Sequence, residues 1–190
     1  MRPFVVFALP RSRTAWLSKY LSYSGECVGH DIAARSASID DFFHNFDSGM
    51  IGTVETGAMA GWRLLRERFP AAAIAVVRRP IEDVKLSLSQ FGIVPRAGDL
   101  EERDAILDEI EREPGVLSMS FRDLYEQKNR RRMFEHCLIY GWKPEWDARW
   151  AHVNVQIDLV AELREVAANQ VSIDAMKREV AAHCSAVGHG

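Results

Sequence analysis

Six consecutive apolar residues, Phe4 to Leu9, run directly into Pro10-Arg11-Ser12-Arg13-Thr14 and then into an amphipathic stretch. An apolar run without polar alternation suits a strand covered on both faces, as in a parallel sheet. Thr14 to Ser24 places Trp16, Leu17, Tyr20 and Leu21 on one face and reads as a helix. A helix that starts right after a strand leaves its first N–H groups facing the connecting loop. The helix dipole adds about half a positive charge there. Together these features make Phe7 to Leu17 a phosphate- or sulfate-binding loop. Arg11 adds charge-assisted donors, and Ser12 and Thr14 add hydroxyls.

The same alternation continues along the chain. Glu26–Gly29, Met50–Glu55, Ala73–Arg78 and Val116–Ser120 read as strands, and Val153–Ile157 as a further short one. Ser38 begins a capping-box pattern, so Ser38–Phe46 reads as a short helix. Gly57–Phe69 reads as a helix stopped by Pro70, and Pro80 opens a helix carrying Ile81, Val84 and Leu88 inward. Leu100–Glu113 is charge-rich with sparse apolar positions at Ile106, Leu107 and Ile110, and reads as a surface helix and candidate lid. Asp123–Tyr140 reads as mainly helical, Trp142–Trp150 as an aromatic-rich connection, and Leu159–Ala168 and Asp174–Cys184 as terminal helices. Strand–helix alternation implies a three-layer α/β/α sandwich with a mostly parallel sheet of about five strands. Residues 1–190 read as a single domain, with ligands expected at the carboxyl ends of the strands.

Composition narrows the function. A formal net charge of −3 gives no general attraction for nucleic acid or an anionic membrane surface, so an anion site has to be local. Three widely spaced cysteines, Cys27, Cys137 and Cys184, form neither a disulfide framework nor a metal motif, and a reducing cytoplasm is the simplest setting. No leader pattern precedes Phe4 and no run reaches membrane-spanning length. His44, His136, His152, His183 and His189 show no ligand spacing, so no metal is expected. The run Asn129-Arg130-Arg131-Arg132 reads as a solvated helix face. Trp142, Trp146 and Trp150, spaced by four, read as a packing stripe.

The loop is not an ordinary ATPase loop, which ends in Gly-Lys-Ser/Thr. In that register Thr14 falls at the lysine and Ala15 at the metal-binding hydroxyl. Pro10-Arg11-Ser12-Arg13-Thr14-Ala15-Trp16 instead resembles the 5′-phosphosulfate loop of the sulfotransferase superfamily, usually P-[KR]-S-G-T-[ST]-[WL], with Arg13 at the usual glycine. Val76-Val77-Arg78-Arg79-Pro80 through Leu88 resembles that family's 3′-phosphate segment, and Val116–Leu124 its following strand and turn. The C-terminal Arg-Lys-Gly-x-x-Gly segment of many members has no match.

The resemblance implies a P-loop NTPase-like fold and transfer of a sulfuryl group from 3′-phosphoadenosine 5′-phosphosulfate (PAPS) to a hydroxyl or amine of a small-molecule or glycan-like acceptor, without a metal. It implies that Pro10 to Ala15, with Arg11, Ser12 and Thr14 foremost, hold the 5′-phosphosulfate. Arg78 with Ser87, or Ser89 as its rival, would hold the 3′-phosphate. The catalytic base falls in one of two places: His30 with Asp31 at the end of the second strand, or Glu55 at the end of the Met50–Glu55 strand. A nucleotide or phosphate-ester kinase with a degenerate loop and a non-catalytic binding module on the same fold are the alternatives.

Overall fold

The computed structural model describes residues 2–155 and 178–179. Strands β1 (Phe4–Ala8), β2 (Val28–His30), β3 (Gly52–Glu55), β4 (Ala73–Arg78) and β5 (Leu117–Ser120) form one sheet in the order β2-β3-β1-β4-β5. All pairings are parallel. The helices in chain order are α1 (Thr14–Leu21), α2 (Ile39–Asp47), α3 (Trp62–Arg68), α4 (Ile81–Ser89), α5 (Asp99–Glu111), α6 (Gln127–Cys137) and α7 (Pro144–Ala151). The architecture is the three-layer α/β/α sandwich expected from the alternation.

Side-chain alternation along β1 builds both cores. Phe4, Val6 and Ala8 join Trp16, Leu17 and Tyr20 of α1 and Phe134 of α6, with Trp146 and Trp150 of α7 packed against them. Val5, Phe7 and Leu9 join residues of α2 to α5 on the other face. Phe4 to Leu9 are all fully buried, which is why the run carries no polar residue. Ser38 caps α2 by accepting the amide of Asp41 at 3.1 Å. Among the described residues no helix is long and apolar enough to cross a membrane.

Several elements depart from the sequence reading. The Gly57–Phe69 helix is split into a 3-10 turn over Ala58–Gly61 and α3, and Asp123–Tyr140 into a 3-10 turn over Phe121–Tyr125 and α6. Trp142–Trp150 contains α7, with Pro144 opening it. Arg130 is not on a solvated face. It makes a bidentate pair with Asp147, 2.7 Å from each oxygen, inside the α6–α7 contact. The Tyr20 hydroxyl donates to the same Asp147 at 3.1 Å. The α5 helix buries Leu100, Leu107 and Ile110 and is a wall of the core, not a loose surface helix. Val153–Val155 are not in a strand, and the rest of that run lies outside the described residues. So do the two terminal helices, apart from the helical Arg178 and Glu179.

The register positions the functional edge. Phe7 lies beside Glu55 and Val76, His30 beside Val54, and Arg78 beside Ser120. The carboxyl ends of all five strands therefore open on one side. The chain fills one side of β1 with β3 and β2 and then crosses to β4, so β1 stands at a topological switch point.

Two substitutions test this packing. A Cβ on Gly52 would lie 2.4 Å from ring atoms of the buried Phe4. Gly52→Ala is expected to cost about 1–3 kcal/mol, read as a lower urea midpoint at unchanged slope. Asp147→Ala leaves Arg130 buried and unpaired and is expected to cost about 3–5 kcal/mol by the same measurement. A midpoint equal to wild type in either variant would contradict the corresponding contact.

Candidate anion site at the carboxyl edge of the sheet

The connection from β1 to α1 is tight and strained. Arg11 and Arg13 have φ of 65° and 62°, in the left-handed region that favours glycine. Arg13 thus takes the backbone shape that a loop glycine supplies elsewhere. It is the residue preceding α1, and no side chain caps the helix there. Ser12 is wholly buried, and its hydroxyl has no partner among the described residues. Pro10 and Ala15 are half-buried on either side of this loop.

Three guanidinium groups surround the loop. Arg11 donates through Nε to the Ser87 hydroxyl at 3.2 Å and lies 4.5 Å over the Phe91 ring. Arg13 is sandwiched between Trp16 and Tyr125, 4.1 and 4.6 Å from their ring centres. Arg79 donates to the Arg11 carbonyl and stacks 4.6 Å over Phe121. Among the described residues none of the three makes an ion pair with a carboxylate. Burial lowers the pKa of Arg13 and of Arg79; at Arg79 the Asp83 carboxylate opposes the shift and nearby Arg11 adds to it. One guanidinium nitrogen of each, Nη1 of Arg13 and Nε of Arg79, is buried without a partner among the described residues. Partly desolvated guanidinium groups with unmet donors at Arg13 and Arg79, the latter repelled by Arg11, have the chemistry that suits an anion.

Arg79 is the residue that the sequence reading missed. Arg78, expected to meet a phosphate, is engaged by α5 instead. Its Nη2 lies 2.7 Å from Asp108 and 3.1 Å from Asp104, and its Nη1 donates to the Asp104 carbonyl at 3.1 Å. Adjacent strand-end residues point to opposite faces, which separates the two arginines. Ser87 is buried and faces Arg11, whereas Ser89 is exposed and donates to the Leu86 carbonyl. Ser87, not Ser89, therefore belongs to the loop.

The polar residues of β2 and β3 arrive at the same edge. His30 Nε2 is 3.0 Å from the Thr14 hydroxyl and 3.5 Å from an Asp31 oxygen. Asp31 accepts the Thr56 amide at 2.6 Å. Glu55 is fully buried. It accepts the Thr53 hydroxyl at 2.6 Å and the amides of Ile32 and Ala33 at 2.9 and 3.4 Å. The structure thus brings Thr14, His30 and Asp31 together and sets Glu55 behind them, out of solvent. Burial, with the neighbouring Asp31 charge, raises the Glu55 pKa to about 8. Two clefts of about 470 and 430 Å³ lie away from the loop, one beside Arg2 and Tyr140 and one between α4 and α5.

No protein-family model matches the chain, and no curated protein matches it either.

Glu55 gives a pH test of the site geometry. Between its ordinary value of 4.5 and about 8, the folded chain keeps a proton that the unfolded chain has lost. Its contribution favours folding most fully at low pH and declines as pH rises through that window, by up to about 1.4 kcal/mol per pH unit. Replacing the carboxyl with an amide, Glu55→Gln, is expected to remove that slope in urea melts across the window. Equal slopes in both proteins would show that Glu55 titrates as an ordinary carboxylate.

Proposed function

We propose that the chain transfers a sulfuryl group from PAPS to a hydroxyl or amine of a small-molecule or glycan-like acceptor. The observation that carries this reading is the convergence of Arg11, Arg13 and Arg79 on one strand–helix loop, with no ion pair to a carboxylate among the described residues. A multiply charged anion is the chemistry that such a seat accepts. The resemblance to P-[KR]-S-G-T-[ST]-[WL] names the class of anion, and the loop is read as P-loop-type on that basis. Thr14 and Ala15, in place of lysine and a metal-binding hydroxyl, favour a sulfuryl donor over magnesium nucleotide chemistry.

In this reading the loop amides with Arg11, Ser12 and Thr14 hold the phosphosulfate. Ser87 fixes the Arg11 guanidinium through its hydrogen bond. Arg79 takes the place that the resemblance gives to Arg78 and adds the charge for a second phosphate. His30, against Thr14 and beside Asp31, is the base. The acceptor oxygen or nitrogen attacks sulfur, the bond from sulfur to the 5′-phosphate oxygen breaks, and the acceptor's proton passes to His30. Charge builds on the departing phosphate, where the guanidinium groups stabilise it. The free thiols of Cys27 and Cys137 suit a cytoplasmic enzyme.

A thermal-shift panel decides between the donors. 3′-Phosphoadenosine 5′-phosphate is expected to raise the melting temperature without magnesium, and ATP is expected to gain nothing from magnesium. Each charge-assisted contact is worth about 1.5–3 kcal/mol, so Arg11→Ala and Arg79→Ala are expected to weaken binding roughly 10- to 100-fold. Arg78→Ala is expected to keep the shift, because that side chain is engaged by α5. No stabilisation of the wild-type protein at millimolar ligand would refute the reading.

A further inference from the structure

The end of β3 and the turn after β2 hold each other by four hydrogen bonds. The Asp31 amide donates to the Val54 carbonyl at 2.9 Å. The Ile32 and Ala33 amides donate to the two oxygens of Glu55, and the Thr56 amide donates back to Asp31 Oδ1. Between these bonds Asp31 sits at φ 48° and ψ 43°, a left-handed backbone on a residue with a side chain. Such a conformation persists only where its surroundings over-determine it. Its second oxygen faces His30, and His30 faces Thr14 on the loop. A continuous path of contacts therefore leads from Glu55, through the turn, to the first residue of α1.

We propose that Glu55 is a positioning residue that holds the Asp31 turn and through it fixes His30 against Thr14. The proposal rests on the reading of His30 as a working group at the loop, but not on which anion the loop binds. Glu55 is not itself placed to take a substrate proton. It has no exposed surface, and both its oxygens already accept hydrogen bonds. A purely structural staple would not need a charge. An ionisable group in this place makes the staple responsive, because the carboxylate accepts from two amides more strongly than the neutral acid does.

The charged neighbours set the direction of the response. Asp31 opposes ionisation of Glu55, and burial opposes it more. Arg35 donates to the His30 carbonyl at 2.9 Å, and Arg103 of α5 donates to the Thr56 carbonyl at 2.9 Å. Neither arginine contacts the carboxyl of Glu55, but both steady the segments that it joins. Rising pH therefore tightens the grip on Ile32 and Ala33. It also places a negative charge behind Asp31.

The test is NMR of the His30 ring in the ligand-free full chain, with resonances assigned by His30→Ala. In the wild-type protein the His30 signals are expected to report the Glu55 ionisation as an inflection near its midpoint of about 8. The contact between the His30 ring and the Thr14 methyl is expected to give a stronger nuclear Overhauser effect above that midpoint than below it. Glu55→Gln is expected to lose that inflection and to show the weaker effect at every pH. Glu55→Asp keeps a charge and is expected to restore part of the inflection. Wild-type His30 signals with no inflection near that midpoint overturn the proposal without any variant having to fold. So does a Glu55→Gln protein with an undiminished Thr14 contact. Binding of 3′-phosphoadenosine 5′-phosphate is measured on the same samples. Its absence counts against the PAPS reading alone, since the His30 signals are followed without ligand.

Discussion

The structure depends on β1 being covered on both faces. Six buried residues in a row, Phe4 to Leu9, leave the chain no polar exit until Pro10. The loop must then leave the core and start a helix within four residues, Pro10 to Arg13. Only a sharply turned backbone does this, and the turn is made at Arg11 and Arg13 in the left-handed region. Each such residue costs roughly 1–3 kcal/mol unless its surroundings enforce it. The parallel ladder provides the surroundings, since β3 and β4 flank β1 and bring Glu55 and Arg79 to the same edge.

Charge is the second constraint on that edge. Arg11, Arg13 and Arg79 each lie over an aromatic ring rather than beside a carboxylate. Cation–π contacts return about 0.5–2 kcal/mol apiece, which offsets part of the lost hydration, and among the described residues the one carboxylate felt by Arg79, that of Asp83, forms no ion pair with it. Arg78 shows the opposite solution one residue away. Three carboxylates of α5, Asp104, Asp108 and Glu111, surround it. One arginine of the pair is thus used to hold the wall of the core, and the other is left electrostatically open at the loop. An anion binding here would relieve the repulsion between Arg11 and Arg79 that the folded chain otherwise sustains.

The contrast between Arg78 and Arg79 also marks how far the sequence could be read. Runs of apolar residues identify β1 and β4 because burial on both faces excludes polar side chains, and the bounds of β4 are legible to the residue. The Ser38 cap is legible because a local hydrogen bond decides it. The fate of a strand-end arginine is set by which face its strand turns toward α5, and α5 lies more than twenty residues further on. Arg130 fails for the same reason. Its partner Asp147 lies seventeen positions away in a helix whose aromatic spacing says nothing about the pair. The Asp31–Glu55 bracket is likewise a product of β2–β3 register, invisible until Val28 is set beside Gly52.

Arg13 shows why a motif should be read as a backbone requirement before it is read as a residue. The position needs positive φ, and glycine is its cheapest occupant. Arginine is tolerated because its side chain has somewhere to go. Trp16, one helical step further along, and Tyr125, from the turn after β5, close on both faces of the guanidinium. The departure from the glycine pattern therefore does not dismantle the loop. It adds a third cation to it, held in place by two rings, with one donor still unmet. In the proposed anion seat that extra group favours ligands of higher charge over a single phosphate, because the Arg13 guanidinium is already partly desolvated.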